Sequence, residues 1–202
     1  MPSPGTVDET LGEFWVGNPW QIVSDGHNLS SFERNRMYLN VGGKEFLDVS
    51  HLSGADSDGD GRSAVAADFR NTGMPDLIVR QVGGGALQYF ENKLPPAHAL
   101  RVTLRGDKSN RQGVGARVTA RIGARTITRE MYPANGYRSQ SPNQVHIGLG
   151  ADTRIDELKV AWPSGKVQTF RDVAGDRHVV IDEAVAGDAA IELVTPGQTI
   201  RP

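Results

Sequence analysis

Three aspartates, Asp56, Asp58 and Asp60, stand at alternate positions ahead of Gly61 in the stretch "GADSDGDG". Calcium takes about six to eight oxygen ligands, and D-x-D-x-D-G brings carboxylates to one side of a tight turn whose glycine permits positive φ. The loop therefore reads either as a structural Ca2+ site at Asp56, Asp58 and Asp60 or as a solvated polar turn. An open loop of this kind contributes few ligands, so the expected affinity is low, with a Kd of ~10⁻⁴ to 10⁻³ M. A helix-flanked calcium loop would need a bidentate Glu about twelve positions from its start. Ala67 stands there, and both flanks read as strands.

A second turn follows at Asp68 to Asp76, with Arg70 between the two acids. A fixed positive charge within a few ångströms repels a divalent ion and pairs well with carboxylates. No calcium is expected here; Asp68, Arg70 and Asp76 are expected to close the turn in a structural role. At ~3.3 Å per residue the strand between the turns separates them by roughly 20 Å, so they cannot share an ion.

Other chemistry is sparse. The five histidines (His27, His51, His98, His146, His178) show no paired ligand spacing, there is no G-x-S-x-G elbow, and "VGGGA" at 82–86 lies between strands instead of opening a helix. No catalytic residue is predicted. Triads also assemble from distant residues, which leaves a carbohydrate-active or biosynthetic accessory enzyme as the alternative. The acids at 56–60 are too crowded for a glycosidase pair, whose carboxyls stand ~5 to 9 Å apart.

Two further groups suit recognition more than chemistry. Arg117, Arg121, Arg125 and Arg129 lie in a stretch poor in acids, and in "RVTAR" the strand period puts Arg117, Thr119 and Arg121 on one face. That face reads as solvated, or as a surface for an acidic glycan, a partner protein or the acidic first half. Trp15 and Trp20, in "EFWVGNPWQIV", either cover an open sheet edge or dock on another protein. "RGD" at 105–107 and the Asn28 sequon are too short to carry an argument.

The elements that must position these residues are strands. Glycine (24) and proline (11) punctuate the 202-residue chain, and the runs between are rich in Val, Ile, Thr and Tyr with alternating polarity. Twelve such runs are expected: 36–41, 45–50, 63–69, 76–82, 86–92, 99–106, 116–122, 125–132, 144–150, 155–162, 166–173 and 177–183. The one helix candidate is "SSFERNR", where Ser30 and Glu33 have capping-box spacing. "MYLNVGG" at 37 laid against "QYFENK" at 88 gives a weak repeat of roughly 50 residues with about four strands, the size of a propeller blade. Pro95 and Pro96 in "KLPPAHA" mark a boundary, and about seven strands follow at sandwich-like spacing. Twenty-two Lys and Arg against 24 Asp and Glu leave a net charge of -2, giving no argument for nucleic acid. No cysteine is present, and no run of about 18 apolar residues suggests membrane insertion.

Two resemblances join these readings. "RNRMYLNVGGKEFLDVS" and the turns after it make residues 34–92 similar to the FG-GAP/VCBS repeat, with Arg70 and Thr72 standing where that family has acids. "LRVTLRGDKSNRQGVGARVTA", "GYRSQSPNQVHIGLG" and "IDELKVAWPSGKVQTFRDV" make residues 99–183 resemble the ASPIC/UnbV domain, which follows such repeats in bacterial exported proteins and in cartilage acidic protein. The resemblance implies an extracellular or periplasmic binding module and no catalytic residue to carry over. The expectation is thus an all-β chain: an extension at 1–33, a partial propeller-like blade at 34–94, a β-sandwich-like ASPIC/UnbV domain packed on it at 99–186, and a tail at 187–202. Its function would be calcium-braced binding of a protein or glycan, as a subunit or tail of a larger assembly.

Overall fold

The computed structural model describes Thr10 and residues 33–81, 86–134 and 136–195. The regular structure of the described residues is almost entirely β, in four open sheets. Two compact units form: Met1–Ala64 with Ile78–Gln88, and Val65–Leu77 with Tyr89–Pro202. Residues 65–77, inside the stretch expected as a blade, thus group with the second unit. Among the described residues no helix is long and apolar enough to cross a membrane.

In the first unit β1 (Tyr38–Val41) and β2 (Glu45–Asp48) pair as an antiparallel hairpin. Its turn runs through Gly42 and Gly43, both at positive φ, and Asn40 Oδ1 accepts a hydrogen bond from the Gly43 amide. The strand expected to reach residue 50 stops at Asp48, because Asp48 Oδ1 accepts from both the amide and the hydroxyl of Ser50 and turns the chain into a one-turn helix, α1 (Ser50–Ser53). The helix expected at "SSFERNR" is absent where it can be seen: residues 33–36 have no regular structure, and Ser30 lies outside the described residues.

Strands β3 (Gly61–Ala67), β4 (Asp76–Gln81) and β5 (Gln88–Phe90) form a three-stranded sheet in that order, and the boundaries between the units fall inside all three.

The second unit holds two four-stranded sheets. One has the order β11 (Val167–Ala174), β10 (Arg154–Ala161), β7 (Arg117–Ile122), β8 (Arg125–Glu130); the other has β13 (Ile191–Leu193), β12 (Arg177–Asp182), β6 (His98–Arg105), β9 (Val145–Gly150). Period-two alternation explains their inward faces: Leu100, Val102 and Leu104 on β6, Val118, Ala120 and Ile122 on β7, and Leu158 and Val160 on β10 are all buried. Residues of both sheets make one apolar cluster, which Trp162 joins. The Trp162 indole N–H donates to Gln168 Oε1 at 2.6 Å, so its polar edge is satisfied inside the core. Strands β6 and β12 are parallel, with Val102 opposite Val179. The stretch read as a tail contributes a 3-10 turn (Gly187–Ala190) and β13, which pairs with β12.

Gly113 is one of several glycines in this unit at which a side chain has no room. Gly113 sits at φ 66°, and an added Cβ would lie 2.7 Å from Leu104 Cβ and 3.2 Å from the Trp162 ring. Gly113→Ala is expected to cost on the order of 3 kcal/mol, combining left-handed strain with overpacking, whereas Gly123→Ala, at φ 55° with nothing within 4 Å, should cost only about 1 kcal/mol. Urea unfolding of the two variants checks the difference.

Candidate functional site

The turn between β3 and β4 is built around two buried carboxylates. Asp76 is fully buried; Arg70 Nε and a guanidinium nitrogen donate to its two oxygens at 3.1 and 2.9 Å, the Tyr89 hydroxyl donates at 2.8 Å and the Asn92 amide at 2.9 Å. Another guanidinium nitrogen of Arg70 reaches Glu91 at 2.6 Å. The Arg70 fork is the main reason the Asp76 carboxyl is held well below the usual carboxylate range, against the opposing effect of burial. Asp68 does not join this pair. Its oxygens accept from the backbone amides of Thr72 and Gly73, both at 2.8 Å, and Arg101 stands 3.5 Å away. The three residues singled out in this turn thus divide into an ion pair and a separate backbone clamp.

The clamp aims the turn at the β6–β9 sheet. Asn71, at φ 55°, accepts from Arg101 at 2.8 Å, and the Gly73 carbonyl accepts from His146 Nε2 at 2.8 Å. A non-glycine residue in the left-handed region is uncommon and persists where its surroundings over-determine it. Beside the clamp runs a groove of about 820 Å³, with Phe69, Arg101, Gln144, Arg177, His178 and Leu193 among its walls. Burial, then the neighbouring Arg101 charge, lowers the His178 pKa, and its Nε2 is 2.8 Å from the Thr103 hydroxyl. These groove residues lie up to about 120 positions apart and share no local motif, although most of them fall in strands or turns that the sequence marked one by one.

Asp56, Asp58 and Asp60 do not converge in the same way. Arg34 donates to both the backbone carbonyl and the carboxylate of Asp56, at 2.9 and 3.1 Å, and His51 lies 3.7 Å from that carboxylate. Asp58 is exposed, while Asp60 is buried with Arg62 at 3.9 Å. Among the described residues no group of three His, Asp or Glu side chains is placed to hold a metal ion. Arg34 and Arg62 thus stand beside two of the three acids, where their positive charge competes with a divalent ion.

The four arginines of β7 and β8 do not share a face. Register pairs Arg117 with Glu130 and Arg121 with Thr126, but Val118 with Arg129 and Ile122 with Arg125. Opposed residues project to the same side, so Arg117 and Arg121 lie on one side of the sheet, and Arg125 and Arg129 on the other. Arg121 is 3.5 Å from Asp156, and Arg125 pairs with Asp152 at 2.9 Å. Trp15 and Trp20 lie outside the described residues.

A further acid, Glu183, is not prominent in the sequence yet is almost wholly buried at the end of β12. It accepts from the Asp107 and Ser109 amides at 2.7 and 2.8 Å and from the Ser109 and Ser164 hydroxyls at 2.9 and 2.5 Å. Burial alone would raise its pKa; these donors outweigh burial and lower it to about 2.

A carboxyl with a depressed folded pKa contributes stability that is fully present above its unfolded value and is lost as pH falls toward the folded one. For Glu183 that window runs from 4.5 down to about 2, and for Asp76 it opens at 3.8 and extends lower. Thermal stability is therefore expected to fall steeply below about pH 4.5, and Glu183→Gln should flatten part of that slope. At neutral pH Asp76→Asn, which weakens a buried ion pair, is expected to cost on the order of 3 kcal/mol in urea unfolding.

Residues 106–188 match the family model described as ASPIC and UnbV. A comparison with curated proteins returns no match. The matched segment runs from the end of β6 to the 3-10 turn before β13 and lies within the second unit.

Proposed function

We propose that the chain is a non-catalytic binding module whose ligand-facing surface is the groove of the second unit. The observation that carries this reading is that the groove wall is preorganised: Asn71 is held at positive φ against Arg101, and the turn bearing it is clamped by Asp68 and by His146. Preorganised donors beside an open groove favour binding, because less ordering entropy is lost when a ligand arrives. The buried acids of the unit favour binding over acid–base chemistry. Asp76 and Glu183 are held as anions by their donors, whereas a general acid or base works best with a pKa near the operating pH.

Three finer parts belong to the same reading. The two four-stranded sheets act as a sandwich around the shared core, and residues 34–92 act as an FG-GAP/VCBS-like blade whose turns arginine braces in place of calcium. The setting is extracellular or periplasmic, the partner is a protein or glycan, and the chain works as a component of a larger assembly. Low-affinity Ca2+ at Asp56, Asp58 and Asp60 is on this view replaced by the Arg34 and Arg62 contacts.

Thermal melts in chelator and in millimolar calcium are expected to coincide. Binding at ~10 Kd would add about 1.4 kcal/mol and raise Tm by roughly 3 °C. A rise of that size, lost in Asp58→Ala, would restore the calcium site. Incubation of the protein with neutral and acidic oligosaccharides is expected to leave their chain length unchanged; time-dependent cleavage lost on mutation of a groove residue would make the protein a carbohydrate-active enzyme instead.

A further inference from the structure

The groove's charge and hydrogen-bonding inventory is specific enough to name a ligand class. Two guanidinium groups and two carboxylates stand around it, Arg101 and Arg177 against Asp68 and Asp176. Three of the four are already engaged. Arg101 lies 3.5 Å from Asp68 and donates to Asn71, while Asp176 meets His98 Nδ1 at 2.6 Å. Arg177 is exposed and forms no ion pair or side-chain hydrogen bond among the described residues. Arg101 and Asp68 offset each other, so the groove offers one uncommitted positive charge, with the Asp176 carboxylate also on its wall.

That balance suits a monoanion. A guanidinium fork matches a carboxylate in bidentate geometry, whereas a phosphate dianion or a polyanion would place more negative charge beside Asp176 than Arg177 can offset. The neutral groups narrow the choice. The Gln144 side chain is exposed and makes no hydrogen bond among the described residues, and the Asn71 carbonyl oxygen is taken by Arg101, which leaves its amide nitrogen available to a ligand acceptor. Phe69 stays 45% exposed, with only an edge contact to Tyr89 at 6.4 Å between ring centroids. Across the groove Leu193 is 53% exposed. An aromatic ring beside amide donors and a single guanidinium complements a pyranose: C–H groups for the ring, hydroxyl and ring oxygens for the amides, one carboxylate for Arg177.

We propose that this groove binds a sugar acid, a hexuronate unit within an oligosaccharide, through Arg177 and Phe69. The proposal rests on the groove being the binding surface, and the test separates the two. A short oligogalacturonate is titrated into ¹⁵N-labelled protein beside its carboxyl-reduced counterpart and a peptide of alternating Glu and Ser. The oligogalacturonate should give saturable shifts at Phe69, Gln144 and Arg177, with a Kd of ~0.1 to 1 mM. Affinity should drop at least about tenfold for the carboxyl-reduced sugar, and by a similar factor in Arg177→Ala and in Phe69→Ala, the loss of one well-formed contact of about 1.4 kcal/mol. Both variants change exposed side chains, and unchanged melting temperatures would confirm that they fold. Equal binding of the reduced sugar, or undiminished binding by both variants, overturns the uronate assignment. Groove shifts with the peptide alone would overturn the ligand class and keep the groove as the surface. No groove shift with any of the three probes would overturn both.

Discussion

The ion pair between Arg70 and Asp76 is the constraint on which the turn, and through it the groove, depends. A carboxylate wholly removed from water is tolerable only if its lone pairs are met, and four donors from three residues on two segments of chain converge on this one. Tyr89, Asn92 and Arg70 are thereby tied to the first residue of β4. With that anchor in place, Asp68 is free to cap the backbone of the same turn, and the turn presents Phe69 and Asn71 at fixed positions. A guanidinium is a suitable brace because it cannot lose its charge and forks onto both oxygens at once. A cation site in the same place would couple the turn's geometry to metal concentration; the arginine removes that dependence.

The second unit applies the same logic at its far end with neutral donors. Glu183 gathers two backbone amides and two hydroxyls, and so ties the loop at 107–109 and the turn at Ser164 to the end of β12. The donors approach from backbone and short side chains, which lose little conformational freedom when they are fixed. Between these two polar fastenings lies the apolar cluster contributed by both sheets, where alternation along each strand decides which residues face inward. Burial supplies the bulk of the stabilisation, while the fastenings fix which loops meet, since apolar contact is non-directional and a hydrogen-bonded carboxylate is not.

In the first unit, spacing along the chain and convergence in space are separate conditions. Three aspartates at alternate positions have the right type and spacing for calcium, yet Arg34, more than twenty residues away in sequence, reaches Asp56, while Asp58 is exposed and Asp60 is buried. Ligation requires convergence on one point, and spacing along a chain does not guarantee it. The arginines of β7 and β8 follow the same rule. Nearness in sequence suggested one basic surface, but the pairing register sends two to each side of the sheet.

Strand content, the approximate limits of twelve strands and the burial of alternate residues were legible in the sequence, because side-chain period, β-propensity and Gly/Pro punctuation are local properties. The charge opposition within the second turn was legible too, since Arg70 and Asp76 are only six residues apart. Which residue partners which was not. That Asp68 clamps backbone amides and leaves Arg70 to Asp76, that Arg101 meets Asn71 thirty residues away, and that Glu183 collects donors from more than seventy residues upstream all depend on strand order and register. Those are settled only when the sheets pack. The physical reason is range: backbone preference acts over a few residues, while buried charges and hydrogen bonds are satisfied by whatever the tertiary fold brings within about 3 Å.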